Sequence, residues 1–165
     1  MVAAAAVGIM IAVFVATSFA MAIHPPSHVE TINPATLSVG GEFVEKNLGT
    51  QVNPDGSVTV RVIATQFQFV PRCIAVPGGR PVTFRVTSPD VIHGFIISGT
   101  NANTMVVPGY VAQVRTVFNS PGDHIMPCHE YCGLGHSEMW ALVKVFDSAH
   151  WKPDAEGRVS CEIPR

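Results

Sequence analysis

Val82-Thr83-Phe84-Arg85-Val86-Thr87 is apolar at every even position and polar at every odd one. A period of two marks a strand with one buried face. The same alternation recurs upstream in Val58-Thr59-Val60-Arg61-Val62-Ile63 and in Gln66-Phe67-Gln68-Phe69. Further short strands are expected over residues 73–76, 92–98, 111–118, 123–127 and 141–146. Between them stand Asn53-Pro54-Asp55-Gly56-Ser57, Pro71, Pro77-Gly78-Gly79, Pro108-Gly109 and Pro121-Gly122. Proline presets φ and glycine tolerates positive φ, so these are turns. No helical period follows residue 30. Many short strands with regular Pro/Gly punctuation predict an all-β sandwich.

The ends differ from this core. Residues 2–23 carry no charge. Twenty-two helical residues span about 33 Å, enough for a hydrocarbon core of ~30 Å, so a single membrane helix is expected. Ala20-Met21-Ala22 resembles a signal-peptide cleavage site, but no Lys or Arg precedes the apolar run, which favours a retained helix. Pro25-Pro26 forces an extended exit. Residues 29–50 read as a connector, broken once at Gly40-Gly41, and the stretch after Asp147 as a polar tail. A net charge of −2 excludes a basic nucleic-acid-binding domain, so no nucleic-acid partner is expected. Seven of the twelve acids lie at or after Asp123, which suits either a face for a cationic partner or a solvated surface.

The chemistry is concentrated in Cys128-His129-Glu130-Tyr131-Cys132-Gly133-Leu134-Gly135-His136-Ser137-Glu138-Met139. Thiolate, imidazole and thioether together suit copper or another soft, redox-active metal. A disulfide is one alternative for the two cysteines. Structural zinc is another, but it needs a second ligand pair, and methionine is not a usual zinc ligand. A mononuclear blue-copper site uses one cysteine, so this loop has one too many. Two thiolates can bridge two metals, each of which then needs an imidazole. His136 is one, and His93 in Ser88-Pro89-Asp90-Val91-Ile92-His93-Gly94-Phe95 is the best candidate for the other. Gly94 would let backbone pack closely there.

The pattern C-x-E-x-C-G-x-G-H-x-x-M, with Ser-Pro-Asp-Val-Ile-His-Gly-Phe upstream, resembles the binuclear copper A domain of subunit II of haem-copper oxidases, over about residues 58–146. A single helix before the domain is similar to the B-type, ba3-like members. The resemblance implies a mainly β chain: a cupredoxin-like Greek-key β-sandwich preceded by one N-terminal transmembrane α-helix. It implies a transmembrane helix at 1–24, a connector at 25–50, a copper A domain at 51–147 and a C-terminal tail at 148–165. By the same resemblance Cys128 and Cys132 bridge two coppers. His93 and Met139 complete one copper, and His136 with the Glu130 carbonyl completes the other. The Glu130 side chain resembles the carboxylate that binds magnesium against subunit I. The implied role is electron entry to a terminal oxidase, from cytochrome c or a small copper protein to haem in subunit I, where O2 is reduced. The implied location is a prokaryotic plasma membrane, with the helix in lipid and the β domain on the periplasmic face. A copper-A nitric oxide reductase, a tethered copper carrier and a plain sandwich with a Cys128–Cys132 disulfide are the alternatives.

The remaining residues have plainer readings. His124 and His129 read as surface residues or supports beside the site. Tyr131 and Trp140 suit either a donor interface or loop packing, Trp151 packs the tail, and Met105 reads as core. Cys73 and Cys161 are either a disulfide tying the tail to an early strand or two unpaired buried thiols.

Overall fold

The computed structural model describes residues 2–20 and 30–161. Helix α1 (Val2–Ala20) has no acid in its first turn and no base in its last. Its 19 residues span ~28 Å, just under the ~30 Å of a hydrocarbon core. Among the described residues no helix is long and apolar enough to cross a membrane. Residues 21–23 of the expected span and the Pro25-Pro26 exit lie outside the described residues.

The alternating segments become strands. They are β1 (Gly49–Val52), β2 (Val58–Thr65), β3 (Gln68–Val70), β4 (Cys73–Pro77) and β5 (Pro81–Thr87). After them come β6 (His93–Ile96), β7 (Asn103–Val106), β8 (Ala112–Val117), β9 (Gly122–Pro127) and β10 (Trp140–Phe146). One sheet runs β1-β2-β5-β8 with β3 also on β2, a second runs β4-β10-β9, and β6-β7 form a hairpin. The β2/β5 and β4/β10 pairs are parallel. Parallel neighbours need crossover connections, so the chain passes from sheet to sheet, and β4 lies opposite the strands that flank it in sequence.

The period-two pattern explains the core. In β5, Val82, Phe84 and Val86 are fully buried, and β2 alternates buried and half-buried along its length. They meet Ile74 and Val76 of β4, Met126 of β9, and Ala141, Val143 and Val145 of β10. Each such Val, Ile, Met or Phe contributes about 1.5–3 kcal/mol on burial. Phe84 lies 6.2 Å from Phe95 and 6.3 Å from Phe118 between ring centroids. Met105 is not core: it is 41% exposed, because on β7 it takes the outward side of the alternation that buries Val106.

The stretch before β1 is more than a spacer. Leu37 and Phe43 are buried, Thr31 bridges Tyr110, and Arg85 Nη2 meets Glu30 at 2.5 Å and Glu42 at 2.8 Å. The tail returns to the outer edge of β1. There Val52 N–H donates to Gly157 O at 2.8 Å, and Arg158 donates to Leu48 O at 3.0 Å and to Lys46 O. Gly157 has φ +75°, and a Cβ there would lie 2.5 Å from Val52 O, so only glycine suits. Cys73 and Cys161 form a disulfide with Cα atoms 5.4 Å apart, and neither is buried, which resolves that pair against free buried thiols.

Candidate metal centre

Residues 128–139 form an excursion between β9 and β10 whose mouth is closed by the Pro127–Trp140 register pair. Cys128 N–H donates to Met139 O at 2.9 Å, so the two ends of the loop are tied together. A short 3-10 turn, His136–Glu138, brings His136 back over Cys132. Gly133 has φ +132°, and a Cβ there would lie 2.9 Å from the Phe67 ring. At Gly135 the corresponding distance is 2.5 Å, so both glycines let Phe67 pack on the loop. Gly94 serves the same end, since its Cβ would fall 2.4 Å from the His129 ring.

The six expected donors converge. The Cys128 and Cys132 sulfurs are free, buried and 4.0 Å apart. His93 Nδ1 lies 3.9 Å from Cys128 Sγ, and His136 Nδ1 lies 3.6 Å from Cys132 Sγ. Met139 Sδ is 3.7 Å from Cys132 Sγ, and the Glu130 carbonyl oxygen is 3.2 Å from Cys128 Sγ. The ligand atoms of His93, Cys128 and Cys132 lie within 4.8 Å of one another. His93 is fully buried, Met139 nearly so, and His136 is half-buried. Soft sulfur and imidazole donors at this spacing fit copper.

Burial, with the neighbouring Cys128 thiol, pushes the Cys132 thiol up to about 11. The metal-free thiol therefore keeps its proton at neutral pH, and a metal must displace it. His93 Nε2 lies 2.9 Å from Asp90 Oδ1, the outer contact that fixes a ligand imidazole's orientation and leaves Nδ1 facing Cys128. Burial works against the charged form of Asp90. Hydrogen bonds from Gln66 N–H, His93, Val91 N–H and the Thr65 hydroxyl outweigh it and hold the carboxyl well below the usual range.

Asp90 had a sequence signal, an acid three residues before a ligand-type histidine. Gln66 and Phe67 had none, because they meet the loop only through the fold. His129 is exposed and packs on Gly94, while His124 packs edge-on to Phe118 with Nδ1 2.7 Å from Ser98 O. Neither joins the donor set. Trp140 is half-buried under Arg72, whose guanidinium carbon is 5.3 Å from the ring centroid. Tyr131 and Leu134 are 71% and 97% exposed beside the site. An apolar cleft of about 250 Å³, lined by Ile125, Pro127, Ser137 and Trp140, opens onto Cys128, His136 and Met139.

Residues 56–146 match the family described as the periplasmic domain of cytochrome c oxidase subunit II. The chain is 37% identical over 142 residues to a cytochrome c oxidase subunit 2 of Thermus thermophilus, covering 82% of this chain and 84% of the relative. A chain of a haem-copper terminal oxidase dimer solved by cryo-electron microscopy superposes with a TM-score of 0.59 at 27% identity, over 87% of this chain and 99% of that one. The periplasmic domain of subunit II of the Bradyrhizobium japonicum cytochrome oxidase shares the fold, with a TM-score of 0.51 at 20% identity, over 55% of this chain and 85% of that one. The sandwich is accordingly cupredoxin-like, and the donor loop lies within the matched domain: this chain belongs to the cytochrome c oxidase subunit II family.

Proposed function

We propose that this chain is the electron-entry subunit of a terminal haem-copper oxidase, with a two-copper centre held by His93, Cys128, Glu130 (through its carbonyl), Cys132, His136 and Met139. One observation carries the reading: two free, buried thiols 4.0 Å apart, each with its own imidazole nitrogen within 3.9 Å. A thiolate-bridged copper pair supplies one-electron storage spread over two metals. The protein supplies rigidity. The β9 and β10 ends anchor the loop, Phe67 fills the space over its glycines, and Asp90 orients His93, so the donors need to move little. Burial keeps most of the surface of both sulfurs from bulk water.

The partner surfaces follow from exposure. Tyr131 and Leu134 form an apolar face beside His136, suited to a cytochrome c or a small copper protein. Half-buried Glu130 is the carboxylate available for magnesium against the haem-bearing subunit I. The uncharged run at 2–23 is the proposed membrane anchor, with lipid around the exposed apolar side chains of residues 2–17. This gives an anchor at 1–24, a connector at 25–50, a copper domain at 51–147 and a tail at 148–165. A disulfide between strand and tail agrees with an oxidising, periplasmic location.

The test is gas uptake by the intact complex. Reduced cytochrome c should support O2 consumption that is lost in Cys132→Ser while the haem content stays unchanged. Reduction of nitric oxide without O2 uptake would assign a different acceptor. Full turnover in Cys132→Ser would contradict electron entry through this loop.

A further inference from the structure

We infer that Gln66 is a positioning residue that braces the two halves of the metal centre against each other. This deepens the copper reading and rests on it. Gln66 lies in the turn between β2 and β3, remote in sequence from every donor. Its side-chain Nε2 donates to Cys132 O at 2.6 Å, and its backbone N–H donates to Asp90 Oδ2 at 2.8 Å. The other Asp90 oxygen is 2.9 Å from His93 Nε2. Three hydrogen bonds thus run unbroken from the Cys132 peptide to the His93 imidazole, and Gln66 makes two of them.

The loop has little else to hold that half. Among the described residues, the backbone hydrogen bonds donated by His136, Glu138 and Met139 return to Gly133, Gly135 and His136, inside the loop itself. Cys128 is fixed differently, through Met139 O and a bridge to Phe95 at the strand ends. Gln66 is thus the residue from outside the loop that hydrogen-bonds the Cys132 peptide. Next to it, the Phe67 ring occupies the space over Gly133 and Gly135, so two consecutive residues clasp the loop, one by a hydrogen bond and one by packing. Asp90 is the firm end of the brace, because Thr65, Ser88 and Val91 also hold its carboxylate. With the amide donor gone, Cys132 can drift relative to Cys128 and His93. Outer contacts of this kind typically change metal affinity by about 10–100-fold when removed.

The experiment uses the full chain in detergent with Gln66→Met, which keeps the length and lacks the donor, and Gln66→Glu, which keeps the shape and presents an acceptor. Two measurements are made. In the copper-loaded chain, both variants should release copper to excess chelator about 10-fold faster than wild type or more, with a shifted reduction potential. In the metal-free chain, diamide takes up both thiol hydrogens as the Cys128–Cys132 disulfide forms, and this should proceed faster in both variants because the sulfurs are less firmly held apart. Rescue by Gln66→Glu, or wild-type values in both measurements, would overturn the brace. If wild type itself retains no copper, the copper reading fails. The diamide rate then still decides the brace: a faster rate in the variants supports it and an unchanged rate overturns it.

Discussion

The molecule holds two pairs of cysteines and treats them in opposite ways. Cys73 and Cys161 are 88 residues apart in sequence and covalently joined. Cys128 and Cys132 are four apart, buried, and free, with sulfurs 4.0 Å from each other rather than the ~2.0 Å of a disulfide. The first pair fixes topology: it ties the tail to the start of β4 and closes a long loop of chain. The second pair is kept apart by its surroundings. Its spacing is set by imidazole, thioether and carbonyl neighbours and by the Gln66–Phe67 turn behind the loop. One thiol pair serves the chain's connectivity and the other stays free among converging donors, and burial with those donors, not cysteine spacing, tells them apart.

The largest effect that would test this contrast is on metal content. Cys132→Ser should leave no more than one copper per chain, whereas the double variant Cys73→Ser/Cys161→Ser should keep the full complement. Metal analysis checks both, and equal copper loss in the two would erase the distinction. Next is stability. Removing the Cys73–Cys161 bond frees a long loop in the unfolded chain and should cost about 2–4 kcal/mol in denaturant unfolding. A smaller cost is expected at the loop: Gly135→Ala drives a methyl to within 2.5 Å of the Phe67 ring, and overpacking of this kind costs about 1–3 kcal/mol. Faster copper release should accompany it, which the disulfide variant should not show.

The smallest effect is on pH dependence. The Asp90 carboxyl is held below its ordinary value in the folded chain, so its contribution is present above an unfolded value of about 4 and is lost as pH falls below that. Asp90→Asn should lower the urea midpoint of the metal-free chain near neutrality and flatten its decline at acid pH. Parallel acid profiles for the two proteins would remove Asp90 as the anchor of His93.

Much of this is legible in the sequence alone. The even positions of residues 82–87 and 58–62 are buried, as their alternation requires. The surplus cysteine beside a single imidazole pointed to His93, 35 residues upstream of Cys128, and the fold brings the two within 3.9 Å. What was not legible depends on long-range contact. The short strands β1 and β7 lack enough residues for a pattern to stand out. Met105 resembles a core residue in composition, and only the register of β7 turns it outward. Leu37 and Phe43 are isolated apolar residues in polar sequence, and they are buried because the segment folds back on the sandwich. Gln66 and Phe67 read as part of an alternating strand, yet they form the turn that grips the loop. No local spacing encodes a partner 66 residues away.

The central claim is that the free pair holds two coppers as one redox unit. Copper analysis of the loaded chain together with its EPR spectrum tests it most directly. Two coppers per chain sharing one unpaired electron is the predicted result. A single type-1 copper, or no copper retained at all, would contradict it.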